Sequence, residues 1–205
     1  NFISGNLRIY ELKSDGWSLM GEEIIGRGNP TSFTTNISDV SLSYDGRTVA
    51  FGEPLVEKNF SSHQYGMVRV FSFDGAIWNQ LGSVLEANGK QFGDQFGYSV
   101  ELNDAGDILA VACTACDTDG MTNNGKVTIY KLSGTPEDGI PLEWQMIGAP
   151  IPGEGEQDGK DGIFIDIDSL GNTIIIGSPD NSDDGKNIGP NPTGGSLVGR
   201  GHVRV

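Results

Sequence analysis

The sequence predicts an all-β fold made of many short strands, and three observations support this. The chain of 205 residues contains 31 glycines, which follow no Gly-X-Y period and therefore indicate turns between strands. No stretch keeps apolar residues at helical spacing without an intervening glycine or proline. A hydrophobic fraction of 36% with 20% charged residues is sufficient for a core and argues against a disordered chain.

Self-comparison reveals one repeat of roughly sixty residues in which three markers recur in a fixed order. The first marker is Gly-x-apolar-x-apolar-aromatic, found at Gly5–Tyr10, Gly66–Phe71 and Gly125–Tyr130, and shortened at Gly201–Val205. The second marker is Trp-x-x-apolar-Gly, found at Trp17–Gly21, Trp78–Gly82 and Trp144–Gly148. All three tryptophans of the chain occupy this one position.

The third marker predicts a β-hairpin around a turn glycine. Its copies are Val40–Gly52, Val100–Ala112 and Ile165–Gly177. Counted from Gly46, Gly106 or Gly171, positions −6 and −4 are apolar in every copy, whereas positions −5 and −3 are polar. This alternation is typical of a strand with one buried face, and Asp45 with Gly46 forms a common hairpin turn pair.

Each repeat is therefore predicted to contain four short strands, namely the hairpin, the Gly-x-apolar strand and the tryptophan strand. Four-stranded units repeated along a chain are typical of the antiparallel blades of a β-propeller. The predicted blades cover residues 37–97, 98–162 and 163–205, the last one incomplete, and residues 1–26 form the end of a preceding blade. Because propellers need roughly 4–8 blades, these about three and a half blades indicate a fragment of a seven-bladed or similar ring. Association of several chains is the alternative.

These residues resemble the FG-GAP repeats of integrin-α-like propellers. Phe96 and Gly97 match the FG pair ahead of the first strand, while Gly52–Pro54 and Gly177–Pro179 occupy the GAP position, which holds Ala112–Thr114 in the middle copy. The resemblance covers essentially the whole chain. The fuller pattern is similar to a divergent branch of the family found in surface proteins. It implies the propeller fold and an extracellular or cell-surface location reached through the secretory pathway, whereas propellers host many activities.

The calcium loops of that family are not carried over to the hairpins. In the family, Asp-x-Asp-x-Asp-Gly-x-x-Asp often wraps its oxygens around Ca²⁺ between the first two strands. The corresponding positions here are Ser41, Ser43, Asp45 and Val49; Glu101, Asn103, Ala105 and Leu109; and Asp166, Asp168, Leu170 and Ile174. Each copy lacks at least two of the carboxylates, and the last position is always apolar. We therefore expect plain hairpins there.

Other acidic residues, in glycine-rich loops, are candidate calcium ligands because Ca²⁺ prefers oxygen donors. The three clusters are Asp117, Asp119 and Asn123; Asp158 and Asp161; and Asp180, Asp183 and Asp184. The alternative interpretation is that these residues only form turns, which Asp, Asn and Gly favour. Calcium is the only cofactor that the sequence suggests.

Cys113 and Cys116 are the only two cysteines of the chain. Zinc would need a second pair of ligands, and the histidines His63 and His202 lie in distant repeats. A redox pair usually lies at a helix N-terminus, and no helix is predicted here. Two interpretations stay open: a short structural disulfide in an oxidising compartment, and two buried free thiols.

Further motifs bear on location and catalysis. Asn36 and Asn59 begin sequons without an intervening proline, which favours a secreted glycoprotein. No Gly-x-Ser-x-Gly or His-Glu-x-x-His motif is present, so no catalytic residue is assigned. The tryptophans are predicted to pack between blades. The arginines at one recurring strand position are predicted to be solvated or paired between blades, and these are Arg8, Arg69 and Arg204.

The net charge of −15 at pH 7 argues against nucleic-acid partners and anionic membranes, because a polyanion repels phosphate. No apolar run approaches the roughly 20 residues of a membrane span, so we expect no membrane insertion in this segment. Cations, basic proteins and neutral glycans remain possible partners, and the acidity also fits solubility or a salty medium. Because the sequence begins at Asn1 rather than Met, we expect a processed or trimmed chain.

The long segments after the second and fourth predicted strands all lie on one face of the predicted propeller. They hold most of the candidate carboxylates, so this acidic face is the predicted binding surface. The leading interpretation is a non-enzymatic adhesion or interaction module of a larger cell-surface or matrix glycoprotein, which contacts a protein or glycan and neighbouring blades or chains. The alternatives are a structural subunit of a filament or multi-protein assembly, and a propeller-type polysaccharide lyase or glycoside hydrolase.

Overall fold

A computed structural model describes residues 5–27, 37–56, 65–87, 93–118, 120–153, 164–178 and 202–205. These residues form several antiparallel β-sheets, and the helical structure among them is a single 3₁₀ turn at Pro136–Asp138. The prediction of an all-β fold is thereby confirmed.

The strands are short and follow one another closely along the described part of the chain. In order they are β1 (Asn6–Leu7), β2 (Tyr10–Lys13), β3 (Gly16–Leu19), β4 (Ile24–Ile25), β5 (Asp39–Leu42), β6 (Thr48–Glu53), β7 (Met67–Phe73), β8 (Trp78–Gln80), β9 (Leu85–Glu86), β10 (Phe96–Leu102), β11 (Ile108–Cys113), β12 (Lys126–Thr135), β13 (Ile140–Met146), β14 (Ile151–Pro152), β15 (Phe164–Ile167), β16 (Ile174–Ser178) and β17 (His202–Arg204).

Two sheets contain four consecutive strands, each paired antiparallel with the next. Their orders are β5-β6-β7-β8 and β10-β11-β12-β13, and a fifth, two-residue strand, β9 or β14, pairs with the third strand. A further sheet has the order β15-β16-β17, and the first residues form the pairs β1-β4 and β2-β3. The four-stranded repeat unit predicted from the sequence is thus present twice in full.

The three predicted hairpins are confirmed, as β5–β6, β10–β11 and β15–β16. Their turn glycines Gly46, Gly106 and Gly171 have φ angles of 67°, 70° and 75°, a left-handed conformation that glycine adopts without steric cost. The glycine marker of the repeat therefore reflects a backbone requirement at the turn.

A polar side chain three residues before each turn glycine closes the hairpin. Ser43 Oγ, Asn103 Oδ1 and Asp168 Oδ1 each accept a hydrogen bond of 2.9 Å from the backbone N–H of the residue two positions after the glycine. These side chains satisfy backbone donors that would otherwise lack a partner in the turn.

Successive sheets pack against each other through three apolar clusters. The central cluster joins the two complete sheets and includes Val68 and Val70 from one and Val100 and Leu109 from the other. A second cluster joins β1–β4 to the first complete sheet, and a third joins the second complete sheet to β15–β16. The core therefore lies between the sheets, and each part of it joins two sheets that follow one another in the sequence.

The tryptophan markers pack between sheets in two of their three copies. Trp144 is 7% exposed, and its Nε1 donates a hydrogen bond of 3.0 Å to the carbonyl oxygen of Leu81 in the preceding sheet. Trp78 Nε1 donates in the same way to Met20, at 2.6 Å. Trp17 instead is 70% exposed, because the described residues place no sheet on its side.

The prediction of a buried apolar face is wrong for the first hairpin. Val40 and Leu42 are 47% and 48% exposed, whereas their counterparts Val100 and Leu102 are 0% and 4% exposed. The reason is that an earlier sheet covers Val100 and Leu102, while only the short pairs β1–β4 and β2–β3 precede β5. Ser41, predicted to be polar and outward, is buried and accepts a hydrogen bond of 2.9 Å from Leu102 N.

Candidate functional site

The connections that follow the second and fourth strands of the sheets are joined to one another, and we call this side the loop face. Phe96 N donates a hydrogen bond of 3.1 Å to Tyr65 O, and Ala115 N donates one of 3.1 Å to Asp94 O. The second bond links the connection after β11 with the one that precedes β10, and the first links the connection after β6 with the first residue of β10. At these described residues the two kinds of connection lie on the same side of the sheets, and the placement of the remaining long segments stays a prediction.

The opposite side, which we call the hairpin face, carries only tight turns in the described residues. Tyr44 N donates a hydrogen bond of 3.0 Å to Asp104 O, and Asp104 N donates one of 3.3 Å to Ser169 O. The three hairpin turns are thus linked in a row. The turn after β7 lies on this side too, since Phe73 N bonds to Arg47 O at 2.9 Å.

The connection 114–125 is the best-described part of the loop face. The structure joins Cys113 and Cys116 in a disulfide, with their Cα atoms 5.5 Å apart and both residues buried. Of the two interpretations left open by the sequence, the structure therefore adopts the disulfide. The carbonyl of Cys116 accepts a hydrogen bond of 2.9 Å from Gly125 N, which returns the chain to β12.

The fully buried side-chain amide of Asn124 joins the connection 114–125 to the segment that follows β13. Its Oδ1 accepts a hydrogen bond of 2.9 Å from Thr118 N, and its Nδ2 donates one of 3.1 Å to Gly153 O and a further bond to Thr118 Oγ1. Every polar atom of this side chain is thereby satisfied in the core. The loop face is held in place by such side chains as well as by its backbone.

Two of the predicted calcium ligands meet in this connection. Asp117 Oδ1 accepts a hydrogen bond of 2.7 Å from the backbone N–H of Asn123, whose φ is 51°. The carboxylate therefore helps to shape the loop, which agrees with the interpretation of these residues as turn formers. Calcium binding at Asp117 and Asn123 stays a prediction.

The other predicted site residues lie outside the described part of the chain. They are the candidate calcium ligands Asp119, Asp158, Asp161, Asp180, Asp183 and Asp184 and the glycosylation sites Asn36 and Asn59. Within the described residues, no group of three or more His, Cys, Asp or Glu side chains is placed to hold a metal ion.

Three carboxylates on the first strands of successive sheets, Asp39, Glu101 and Asp166, influence one another, and the sequence alone did not identify them as a site. The pKa of Glu101 in β10 is raised to about 7, mainly by burial, with a smaller contribution from the negative charges of Asp166 in β15 and Asp39 in β5 and against a hydrogen bond from Ser41, which lowers it. Asp39 Oδ2 accepts hydrogen bonds of 2.7 Å from Ser99 Oγ and 3.0 Å from Val100 N. The polar positions of the hairpin marker contain these residues, but only the packing of the sheets brings them together.

The recurring arginine position contains one buried ion pair. Arg69 Nε donates to Glu53 Oε2 at 2.8 Å, and both side chains are buried. Glu53 Oε1 accepts a hydrogen bond of 2.6 Å from Arg27 N, and Arg69 Nη2 donates one of 3.0 Å to Ile25 O. The ion pair lies within the first complete sheet, since Glu53 ends β6 and Arg69 belongs to the adjacent β7. The prediction of a solvated arginine or an ion pair between blades is therefore wrong for Arg69, whose contacts with the preceding sheet are made through the backbone of Ile25 and, by way of Glu53, of Arg27.

The equivalent Arg8 is exposed and pairs with Glu23 next to it, while the side chain of Arg204 lies outside the described part of the structure. No helix in the described ranges is both long and apolar enough to cross a membrane.

No model of a known protein family matches the chain, and no curated protein matches it. Among solved structures, the chain is similar to the crystal structure of the tricorn protease, with 14% sequence identity and a TM-score of 0.44. The similarity covers 76% of this chain and 16% of that chain. At this level it says nothing about activity.

Proposed function

We propose that the chain is a non-enzymatic adhesion or interaction module of a larger cell-surface or matrix glycoprotein, and that it binds a protein or glycan through its loop face. The observation that carries the proposal is the joining of the connections after the second and fourth strands on one side, seen in the bonds from Phe96 to Tyr65 and from Ala115 to Asp94. Rigid sheets that carry long connections on one face are a common arrangement for recognition.

The architecture proposed with this function is a β-propeller that resembles the FG-GAP repeats. The relation between the two complete sheets supports it, because Leu102 N and Ser99 Oγ donate hydrogen bonds to Ser41 and Asp39 on the first strand of the preceding sheet. The hairpin turns at Tyr44, Asp104 and Ser169 continue this relation into the third sheet. In each pair of consecutive sheets, the first strand therefore lies beside the first strand of the next sheet. Such a repeated arrangement fits blades around a common axis.

An extracellular location belongs to the proposal as well. It is supported by the Cys113–Cys116 disulfide, since structural disulfides persist in oxidising compartments, and by the two sequons at Asn36 and Asn59. The net charge of −15 favours basic proteins, neutral glycans and cations over nucleic acid.

The test compares binding by two variants with equal loss of charge. In the loop-face variant, Asp117, Asp119, Asp158 and Asp161 become asparagine, and the probes are arrayed neutral polysaccharides and basic matrix proteins. We expect the native chain to bind a subset of these probes and the loop-face variant to lose that binding. The matched hairpin-face variant changes four carboxylates of the tight turns to amides, at Asp15, Asp104, Glu137 and Asp138.

The hairpin-face variant should bind like the native chain, because only the position of the removed charges differs. Equal binding by the two variants would contradict the loop face as the binding surface. A native chain that binds none of the probes would contradict the adhesion proposal itself.

One observation favours a second candidate, a polysaccharide lyase or glycoside hydrolase. A carboxyl group whose pKa is raised to about 7 next to other carboxylates, as in Glu101 beside Asp166 and Asp39, is what general acid catalysis requires. Turnover on a panel of neutral and acidic polysaccharides, abolished in Glu101→Gln and retained in Glu137→Gln, would support this candidate. Absence of turnover by the native chain would rule against it on those substrates.

A further inference from the structure

The contact between the first described strands and the first complete sheet contains a cavity of about 320 Å³. One wall is formed by residues 22–25, around β4, and the other by side chains of β7 and of the turn into β8. Both walls face each other within the described chain, so the cavity is part of an internal contact between sheets. Its volume lies at the lower end of the roughly 300–1,000 Å³ that small-ligand sites occupy.

A buried guanidinium lines this cavity and retains unused hydrogen-bond donors. The side chain of Arg69, which belongs to the lining, is 8% exposed. Its Nε donates to Glu53, and its Nη2 donates to the carbonyl oxygen of Ile25. A guanidinium has five N–H groups, and among the described residues Nη1 has no acceptor. Because a buried donor without a partner costs free energy, a ligand that accepts a hydrogen bond from Nη1 is favoured here.

Two aromatic side chains form the apolar part of the lining, and both are held in place by other residues. The ring of Phe71 stacks on that of Phe51, with their centroids 5.8 Å apart. The ring of Trp78 lies 5.1 Å from that of Phe73, and its Nε1 donates a hydrogen bond to Met20 O. The cavity therefore has a rigid aromatic surface on which a flat apolar group can pack.

Two carboxylates also line the cavity, and they differ in their partners. Glu23 forms an ion pair with Arg8 and accepts a hydrogen bond of 2.8 Å from Asn6 Nδ2. Glu22 is exposed, and within the described part of the chain it has no hydrogen-bond or ion-pair partner. The lining thus offers a free acceptor at Glu22 as well as a free donor at Arg69.

The equivalent contact between the two complete sheets is bridged by a side chain. Glu143, at the repeat position of Ile77, accepts a hydrogen bond of 2.8 Å from the backbone N–H of Ser83, which occupies the position of Glu22. Ile77, which lines the cavity and is 50% exposed, has no polar atom with which to form this bridge. The first contact therefore stays open where the second one is spanned.

The charges of the lining favour a neutral ligand. An anion would meet the carboxylates of Glu22 and Glu23 in a chain of net charge −15. A lysine or arginine side chain would meet the guanidinium of Arg69. A sugar carries no charge, its ring has an apolar C–H face that packs on aromatic rings, and its hydroxyl groups both donate and accept hydrogen bonds.

We propose that this cavity binds one neutral sugar residue of a glycan. The sugar ring packs against Phe71 and Trp78, while one hydroxyl accepts a hydrogen bond from Arg69 and another donates one to Glu22. The inference rests on the proposed function, since it narrows the ligand to a neutral glycan. It places a subsite at the contact between two sheets, apart from the four acidic residues that the loop-face variant changes.

Nuclear magnetic resonance of the two equivalent indole N–H groups provides the test. Trp78 and Trp144 both donate to a carbonyl of the preceding sheet, but Trp78 lines this cavity and Trp144 does not. The probes are glucose, galactose, mannose and N-acetylglucosamine, with glucuronic acid and a short lysine peptide as charged comparisons. We expect at least one neutral sugar to shift the Trp78 signal saturably, with no change at Trp144 and none with the charged probes.

Two variants locate the sugar. Ile77→Glu should weaken its affinity at least about tenfold, because the new side chain can span the cavity as Glu143 does in the second contact. Glu22→Ala should weaken it about tenfold, since a hydrogen bond to a charged group is lost. The matched control is Ile140→Glu, because Ile140 on β13 is 55% exposed and Ile77 is 50% exposed. This control should bind like the native chain.

The inference is overturned if no neutral sugar shifts the Trp78 signal, or if the lysine peptide or glucuronic acid shifts it and the sugars do not. Native affinity in Ile77→Glu would overturn it equally. The loop-face variant retains the whole lining and should respond like the native chain. A failure at the cavity is therefore seen at Trp78, whereas a failure of the loop face is seen in the binding to arrayed probes.

Discussion

At the scale of single residues, the buried ion pair of Glu53 and Arg69 is supported by further hydrogen bonds and by aromatic rings. Both carboxylate oxygens of Glu53 accept hydrogen bonds, from Arg69 Nε and from Arg27 N. The guanidinium of Arg69 also lies 4.8 Å from the ring centroid of Phe51 and 5.6 Å from that of Phe71. Loss of either partner would leave an uncompensated charge away from water.

We therefore expect Arg69→Met to lower the free energy of unfolding by about 3–5 kcal/mol, since one member of a buried ion pair is removed. Urea unfolding of the native chain and the variant measures the difference. The double variant Glu53→Gln with Arg69→Met is the control, and it should recover part of the loss because no unpaired charge remains. An Arg69→Met variant as stable as the native chain would show that the pair contributes nothing to the fold.

The raised pKa of Glu101 predicts an unusual dependence of the free energy of unfolding on pH. Its pKa is raised from an ordinary value of 4.5 to about 7 in the folded chain, so between these values the folded state holds a proton that the unfolded state has released. Stability contributed by this group is present below pH 4.5 and is lost as the pH rises towards 7. The direction is opposite to that of a carboxylate held by a salt bridge.

The free energies of unfolding at pH 5 and pH 8 provide the measurement. The native chain should lose stability over this interval, and Glu101→Gln should lose less, because the amide carries no charge at either pH. Glu137→Gln, in an exposed turn, is the matched control and should behave like the native chain. An identical pH dependence in the native chain and in Glu101→Gln would contradict the raised pKa.

At the scale of the elements, the second strands differ in how closely the next sheet approaches them. A Cβ added at Gly52 in β6 would lie 1.7 Å from the carbonyl oxygen of Gly97, whereas one added at Gly177, at the same repeat position in β16, would meet no described atom closer than 3.4 Å. Among the described residues, the neighbouring backbone thus requires the first glycine but not the second.

We expect Gly52→Ala to destabilise the chain by about 1–3 kcal/mol or more, as overpacking that displaces backbone does. Gly177→Ala is the matched control and should leave the thermal midpoint almost unchanged. Thermal unfolding followed by circular dichroism distinguishes the two. Equal losses in both variants would mean that the repeat position, and not the approach of the next sheet, sets the cost.

The strands and turns that local sequence patterns determine could be predicted, whereas the contacts between sheets could not. The turn at Gly46 and the alternation around it predict a hairpin, because both signals act over a few residues. The exposure of Val40 and Leu42 could not be predicted, since it depends on which sheet lies next to β5. For the same reason the meeting of Glu101 with Asp39 and Asp166 was missed, although the polar positions themselves are visible in the sequence.

At the scale of the whole molecule, the net charge of −15 opposes the compact state through repulsion among the acidic side chains. We expect the thermal midpoint to rise with sodium chloride, because the screening length falls from about 30 Å at 0.01 M to about 10 Å at 0.1 M. A midpoint that is unchanged or falls with salt would contradict this expectation.

The same titration tests the predicted calcium sites. Calcium chloride and magnesium chloride at equal concentration screen charge alike, so screening alone raises the midpoint equally. A larger rise with calcium is expected if the acidic loops bind it, since a ligand that binds only the folded state stabilises it. Equal midpoints in the two salts would contradict calcium binding.

The three apolar clusters, each of which joins only neighbouring sheets, have a consequence for local opening. A stack held by nearest-neighbour contacts frays from its ends, as in linear repeat proteins. Amide hydrogens of β11, whose six residues are all buried, should therefore exchange with solvent most slowly, and those of β2 and β3 most rapidly.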